Sequence, residues 1–152
     1  MDAVYLVKNS AFAATTGAKT VLKIVTPTSF NVKIHEIGVS MDGVTSSAVP
    51  AVLDVFTSDE TTAGTGTSVT PVQIKGRAQA HGTTCTSNHS AEGTTYTLLK
   101  SLYVPQFMGV YVIQNPLGLE EESPGDAADS IGIRINVSAN VNVLAWIKFS
   151  RG

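Results

Sequence analysis

Two stretches near the C-terminus alternate too strictly to be anything but extended chain. Ile131, Ile133, Ile135 and Val137 share one parity, with Gly132, Arg134, Asn136 and Ser138 between them. Beyond Ala139-Asn140, the parity set is Val141, Val143, Ala145, Ile147 and Phe149. A period of two marks a strand with one buried face, whereas a helix repeats every 3.6 residues. The two sets are expected to line the core of one antiparallel hairpin, with Val141 at its rim.

The same pattern runs through the rest of the chain. Short runs rich in β-branched residues recur near 3–8, 20–26, 30–41, 50–58, 69–75, 94–104 and 107–114, and helical periodicity is nearly absent. Turn-formers separate them, among them Thr15-Thr16-Gly17, Met41-Asp42-Gly43, Asn115-Pro116-Leu117-Gly118 and Ser123-Pro124-Gly125-Asp126. Eight to nine strands at this spacing predict an all-β, two-sheet antiparallel sandwich of jelly-roll-like form, with residues 1–152 making a single domain. A chain of 152 residues that is 43% apolar can build such a core unaided. Cys85 is the lone cysteine, so no intrachain disulfide can help.

The third run changes parity. Phe30, Val32 and Ile34 fall on one face, and Ile37, Val39 and Met41 on the other. A β-bulge between His35 and Glu36 accounts for the slip, and His35 is read as structural. The long connections, about 76–93 and 115–129, are where a sandwich would carry function.

Charged residues make up 14% of the chain, against the usual ~25%. The ten Lys and Arg are scattered and the net charge is −2, which argues against nucleic-acid binding. No run approaches the ~20 apolar residues of a membrane-spanning helix, and the N-terminus has no signal-peptide pattern, so synthesis in the cytosol is expected.

Several constellations bear on chemistry, and each favours a plain reading. His81, Cys85 and His89 stand four apart, which on a helix would present zinc ligands on one face. The residues between them are poor helix formers and a fourth ligand is missing, so a polar loop is expected and no metal. Nothing near Cys85 enforces a Cys/His nucleophile pair. Glu120-Glu121-Glu122 with Asp126 and Asp129 lacks the spacing of a calcium loop and is read as a solvated acidic loop, or one meeting a basic partner. Gly17-Ala18-Lys19-Thr20 and Gly64-Thr65-Gly66 are read as turns, since neither opens a helix. No catalytic residue and no cofactor is therefore expected, and the chain reads as a structural or binding part rather than an enzyme.

Two features point to assembly. Leu144 and Trp146 have the parity opposite to the core set, where an isolated sandwich would leave them in water. The run 107–114 is apolar on both faces, with Met108, Val110 and Val112 on one and Phe107, Tyr111 and Ile113 on the other. One face of a sandwich strand meets the core, so the second needs a loop or another subunit. Leu144, Trp146, Tyr111 and Ile113 are the candidate oligomer interface.

Several segments resemble the small jelly-roll structural proteins of tailed-phage genomes: Lys33 to Ser40 with Asp42-Gly43, Ala51 to Thr57, Gly66 to Ile74, and the terminal pair of strands. The resemblance spans residues 20 to 150 and is a rhythm of strands and Thr/Gly turns. It implies a bacteriophage capsid decoration (cement) protein, a homotrimer that binds the major capsid protein on the outside of the head and resides in the virion. The alternatives are a tail or fibre-tip jelly roll binding a host carbohydrate, and a hydrolytic or metal-dependent enzyme on the same fold. Aromatic residues are only 7% of the chain, which weakens the first alternative; only the Cys85/His arrangement speaks for the second.

Overall fold

The computed structural model describes residues 2–44, 49–59, 64–107, 109–123 and 129–151. Thirteen strands occur among them: β1 (Val4–Lys8), β2 (Phe12–Ala14), β3 (Gly17–Val25), β4 (Val32–Met41), β5 (Ala51–Asp59), β6 (Thr65–Val69), β7 (Val72–Lys75), β8 (Thr84–Ala91), β9 (Tyr96–Val104), β10 (Val110–Gln114), β11 (Glu121–Glu122), β12 (Asp129–Val137) and β13 (Val141–Arg151). Met108, Pro124, Gly125 and Asp126, all used above, lie outside the described residues.

Eight strands form a framework of two four-stranded layers, β10-β4-β13-β1 facing β3-β12-β5-β9. Within these eight, the first pairs with the last (β1 with β13), the second with the seventh (β3 with β12), the third with the sixth (β4 with β10) and the fourth with the fifth (β5 with β9). All four pairings are antiparallel. This nested pairing is what results when one long hairpin is rolled into two sheets, and it defines a jelly roll.

The segment between β5 and β9 widens both layers on one side, with β7 continuing the first sheet beyond β1, and β8 and β6 continuing the second beyond β3. On the opposite side β10 and β9 are the sheet edges. There Lys100 of β9 reaches across to Glu121 of β11 and ties one sheet to the other.

Buried side chains from both sheets fill the space between the layers, Tyr5, Leu22, Ile24, Ile34, Ile37 and Leu53 among the largest. Ile131, Ile133, Ile135, Val137, Val143, Ile147 and Phe149 all join this core. They do not belong to one hairpin, however. β12 lies between β3 and β5 in one sheet and β13 between β4 and β1 in the other. The connection through Ser138, Ala139 and Asn140 is therefore an arch that crosses the core. Burial parity is identical for a hairpin and an arch, so alternation alone could not separate them.

The parity slip in β4 is a bulge. Glu36 pairs with Lys148 and Ile34 with Phe149, which leaves His35 as the extra residue. Both His35 and Glu36 consequently leave the core side, while Ile34 and Ile37 remain on it. The strand count exceeds the expected eight to nine because β2, β6, β8 and β11 had been read as connections. β8 falls inside the stretch 76–93 that had been expected to be a loop, and Thr65-Gly66 open β6.

Candidate functional site

The outer face of the first sheet carries the features that the core does not absorb. Strand register places its residues in rows. One row runs Gln114, Glu36, Lys148 and Leu6; the next Val112, Gly38, Trp146 and Lys8; a third Val110, Ser40 and Leu144. Alternation sends all of these side chains away from the core.

Trp146 is the centre of this face. Its indole packs against Gly38, where a built Cβ would stand only 2.0 Å from the ring. Glycine at 38 is thus the seat that lets the ring settle against the sheet. The indole Nε1 donates to Glu36 Oε2 at 2.9 Å. The same carboxylate accepts from Gln114 Nε2 at 2.9 Å and meets Lys148 Nζ at 2.8 Å. Hydrogen bonds from Gln114, Lys148 and Trp146 together hold the Glu36 carboxyl down at about 2. One charged group, satisfied on every side, therefore fixes the orientation of the tryptophan.

Gly38→Ala is expected to lift the indole and break its bond to Glu36. Trp146 is the only tryptophan, so emission reports it cleanly. The variant should fluoresce further to the red than wild type, and an unchanged spectrum would contradict this seating.

Around this anchor the face is apolar and open. Leu144 is 49% exposed, Val110 63% and Val112 45%. Leu144 and Trp146 occupy the outward positions expected of them. Tyr111 and Ile113, by contrast, stand opposite Val39 and Ile37 and point to the core side of β10. Ile113 packs against the core, and Tyr111 lies at the sheet edge. The residues of β10 that join Leu144 and Trp146 are Val110 and Val112, so the four expected interface residues do not share one surface. Both faces of β10 are apolar because an edge strand lends one side to the core and leaves the other bare.

The histidine–cysteine spacing falls on extended chain. Cys85 and His89 both lie on β8, where four residues span about 13 Å, too far for one ion. Cys85 is buried and its thiol is pushed up to about 11 by that burial, which makes it a poor nucleophile. His81 stacks edge-on against Tyr5, and its Nδ1 accepts from the Thr83 amide at 3.1 Å. His89 Nε2 pairs with the Thr86 hydroxyl at 2.8 Å.

The acidic run is not a freely solvated loop, because each glutamate is tied down. Glu120 approaches His35, Glu121 meets Lys100 and accepts from Asn115 Nδ2 at 3.2 Å, and Glu122 lies 3.6 Å from Lys33. The connection after β10 is thereby pinned across one end of the outer face.

Beside that connection lies a groove of about 700 Å³ whose lining includes Val4, His35, Ile74, Glu120, Lys148 and Ser150. Ser150 Oγ lies 2.7 Å from His35 Nε2, and His35 Nδ1 lies 3.8 Å from Glu120 Oε1. Sequence reading missed this cluster. Its one legible trace is the bulge at His35, which turns that ring toward the sheet face.

No protein-family model matches this chain, and no curated protein matches it. Among solved structures it is similar to VP2 of infectious bursal disease virus. A point mutant of VP2 in derived T=1 particles gives 10% identity and a TM-score of 0.22, over 97% of this chain and 40% of that one. The Gx strain of the virus gives 12% identity and a TM-score of 0.21 over the same shares. The chain thus spans about two fifths of the length of those proteins. Likeness this faint carries no weight, and the jelly roll rests on strand order alone.

Proposed function

We propose that this protein is a structural part of a virion, a capsid decoration protein that self-associates through the outer face of its first sheet and, as an oligomer, binds the major capsid protein. The observation that carries the reading is the exposed apolar cluster of Val110, Val112 and Leu144 around an oriented Trp146. Association through such a face is favourable for two reasons. Tryptophan is enriched among the residues that dominate interface energy, since one indole buries ~200 Å² or more. The platform is also already ordered, because Trp146 is fixed by Gly38 and Glu36 and loses little freedom on binding. The thinly charged surface, the jelly-roll order and the resemblance to small structural proteins of tailed phages support the same role. The trimer and the capsid partner come from that resemblance.

Sedimentation of the wild type and of Trp146→Ser tests the reading. The wild type is expected to sediment as an oligomer, a trimer on this reading, and the variant as a folded monomer. A monomeric wild type would overturn the interface. Incubation with empty phage heads then tests the capsid role, where binding at a fixed ratio to the major capsid protein is expected; an oligomer that binds no head would overturn that part alone.

A further inference from the structure

The groove at the far end of the same face holds side chains that an interface leaves unused. We propose that it is a hydrolytic site for esters of short aliphatic acids, with Ser150 as nucleophile, His35 as general base and Glu120 as the carboxylate that orients the base. Ser150 Oγ and His35 Nε2 are 2.7 Å apart, the separation a nucleophile and its base require. Glu120 Oε1 faces the other ring nitrogen at 3.8 Å, within ion-pair reach, and resting sites commonly tighten further when substrate binds. The three line one groove.

Each residue is held where the chemistry needs it. His35 is the extra residue of the β4 bulge, a device that re-aims side chains beside functional sites. Ser150 lies on β13, whose neighbours β1 and β4 lock its backbone from both sides; it is only 2% exposed, and it is among the residues that line the groove. The Glu120 side chain is only 7% exposed. Hydrogen bonds from its own amide and that of Gly118, with the nearby charge of Lys33, keep its carboxyl below the ordinary range. An ionised Glu120 at Nδ1 favours the tautomer with its proton there, which leaves the Nε2 lone pair to take the proton of Ser150.

The surroundings select the substrate. The row through the serine reads Lys33, Ser150, Val4, Lys75 across the four neighbouring strands β4, β13, β1 and β7. Lys33 and Lys148 are engaged by Glu122 and Glu36. Lys75 has no ion-pair partner among the described residues and can turn toward a developing negative charge. Val4, Ile74 and Leu117 offer apolar contact for an acyl chain. The amides of β13 lie in its two ladders, so that strand offers no pair of backbone donors to the oxyanion. A missing donor of that kind costs about 10²–10³ in rate, which restricts the site to esters with good leaving groups rather than amides.

The step balances without any further reagent than water. Ser150 Oγ bonds to the ester carbonyl carbon as its proton passes to His35 Nε2, and the carbonyl oxygen becomes an alkoxide facing Lys75. The alkoxide collapses, the bond to the alcohol oxygen breaks, and His35 returns the proton to that oxygen. Water then attacks the acyl-serine with His35 taking its proton. Collapse releases the carboxylic acid, and the proton goes back to Ser150 Oγ.

Two measurements test it, release of 4-nitrophenol from 4-nitrophenyl butyrate and labelling by a fluorophosphonate followed by peptide mapping. The wild type should hydrolyse the ester with saturation and take one label, at Ser150. Ser150→Ala should lose both. His35→Asn should slow both by about 10²–10⁴-fold, the usual share of a general base, and it keeps the test decisive should the serine variant fail to fold. A folded wild type that neither labels nor exceeds the buffer rate overturns the proposal, as does activity that survives Ser150→Ala or a label on another residue. Neither substitution touches Val110, Val112, Leu144 or Trp146, so a failure of the site leaves the interface reading to its own sedimentation test.

Discussion

Ile147→Ala is expected to cost about 2–5 kcal/mol of stability, and Ile133→Ala a similar amount. Both side chains are fully buried, at 0% exposure, in opposite layers of the core. Ile147 lies between Ile37 on β4 and Val7 on β1, and Ile133 between Leu22 on β3 and Val55 on β5. Each strand is clamped by a ladder on both edges, so the backbone has little freedom to collapse into the space a truncation leaves. That argues for the upper half of the range, where cavity cost adds to lost transfer energy. Urea unfolding followed by Trp146 emission, at one protein concentration so that assembly is held constant, measures the loss. A cost under about 1 kcal/mol for either variant would mean that its side chain does not sit in a close-packed interior. Leu144→Ala, on the outer face, should cost the fold far less.

Acid should weaken the protein through Glu36. Its carboxyl is held at about 2 in the folded chain against an ordinary value of 4.5. On acidification the unfolded chain therefore takes up this proton first. The stabilisation is complete above pH 4.5, falls as the pH drops toward 2, and is gone below that. A shift of this size corresponds to at most about 3 kcal/mol, and screening by the solvent at this sheet surface lowers what is realised. Much of the effect comes from neutral donors, Gln114 and Trp146, which favour the carboxylate without charges of their own. Glu36→Gln removes this titration. The gap in unfolding free energy between wild type and variant should be largest near neutrality and close by pH 2, and curves that run parallel from pH 7 to 2 would count against it. Near pH 2 the emission of the wild type should also shift as Trp146 loses its charged partner.

The features legible in sequence were those written in local alternation. Which apolar side chains of β12 and β13 enter the core could be read to the residue, since parity is a property of each strand by itself, whereas the burial of Ser130 and Ser150 on the other face could not. The bulge at His35 was legible for the same reason, as a phase change in one strand. The outward positions of Leu144 and Trp146 followed from it as well. Strand partners were not legible, and the arch between β12 and β13 shows why: a three-residue connection can turn back within a sheet or cross between sheets, and both bury the same side chains.

β8 escaped notice because its inward positions are Cys85, Ser87 and His89, so the strand is marked by ladder bonds to β3 and β6 and not by apolar content. Tyr111 and Ile113 were assigned to the wrong face because a doubly apolar strand does not say which side meets the core. That side was decided by the pairing of β10 with β4.

Local alternation alone therefore determined that this chain is all-β, which side chains its principal strands bury and where one strand changes phase. The order of the strands, the oriented indole over Gly38 and the meeting of His35 with Ser150, 115 residues apart, were decided only in the tertiary structure. The reason is that a strand's periodicity encodes its own two faces, whereas its neighbours are chosen by the lowest free energy of the whole rolled sheet.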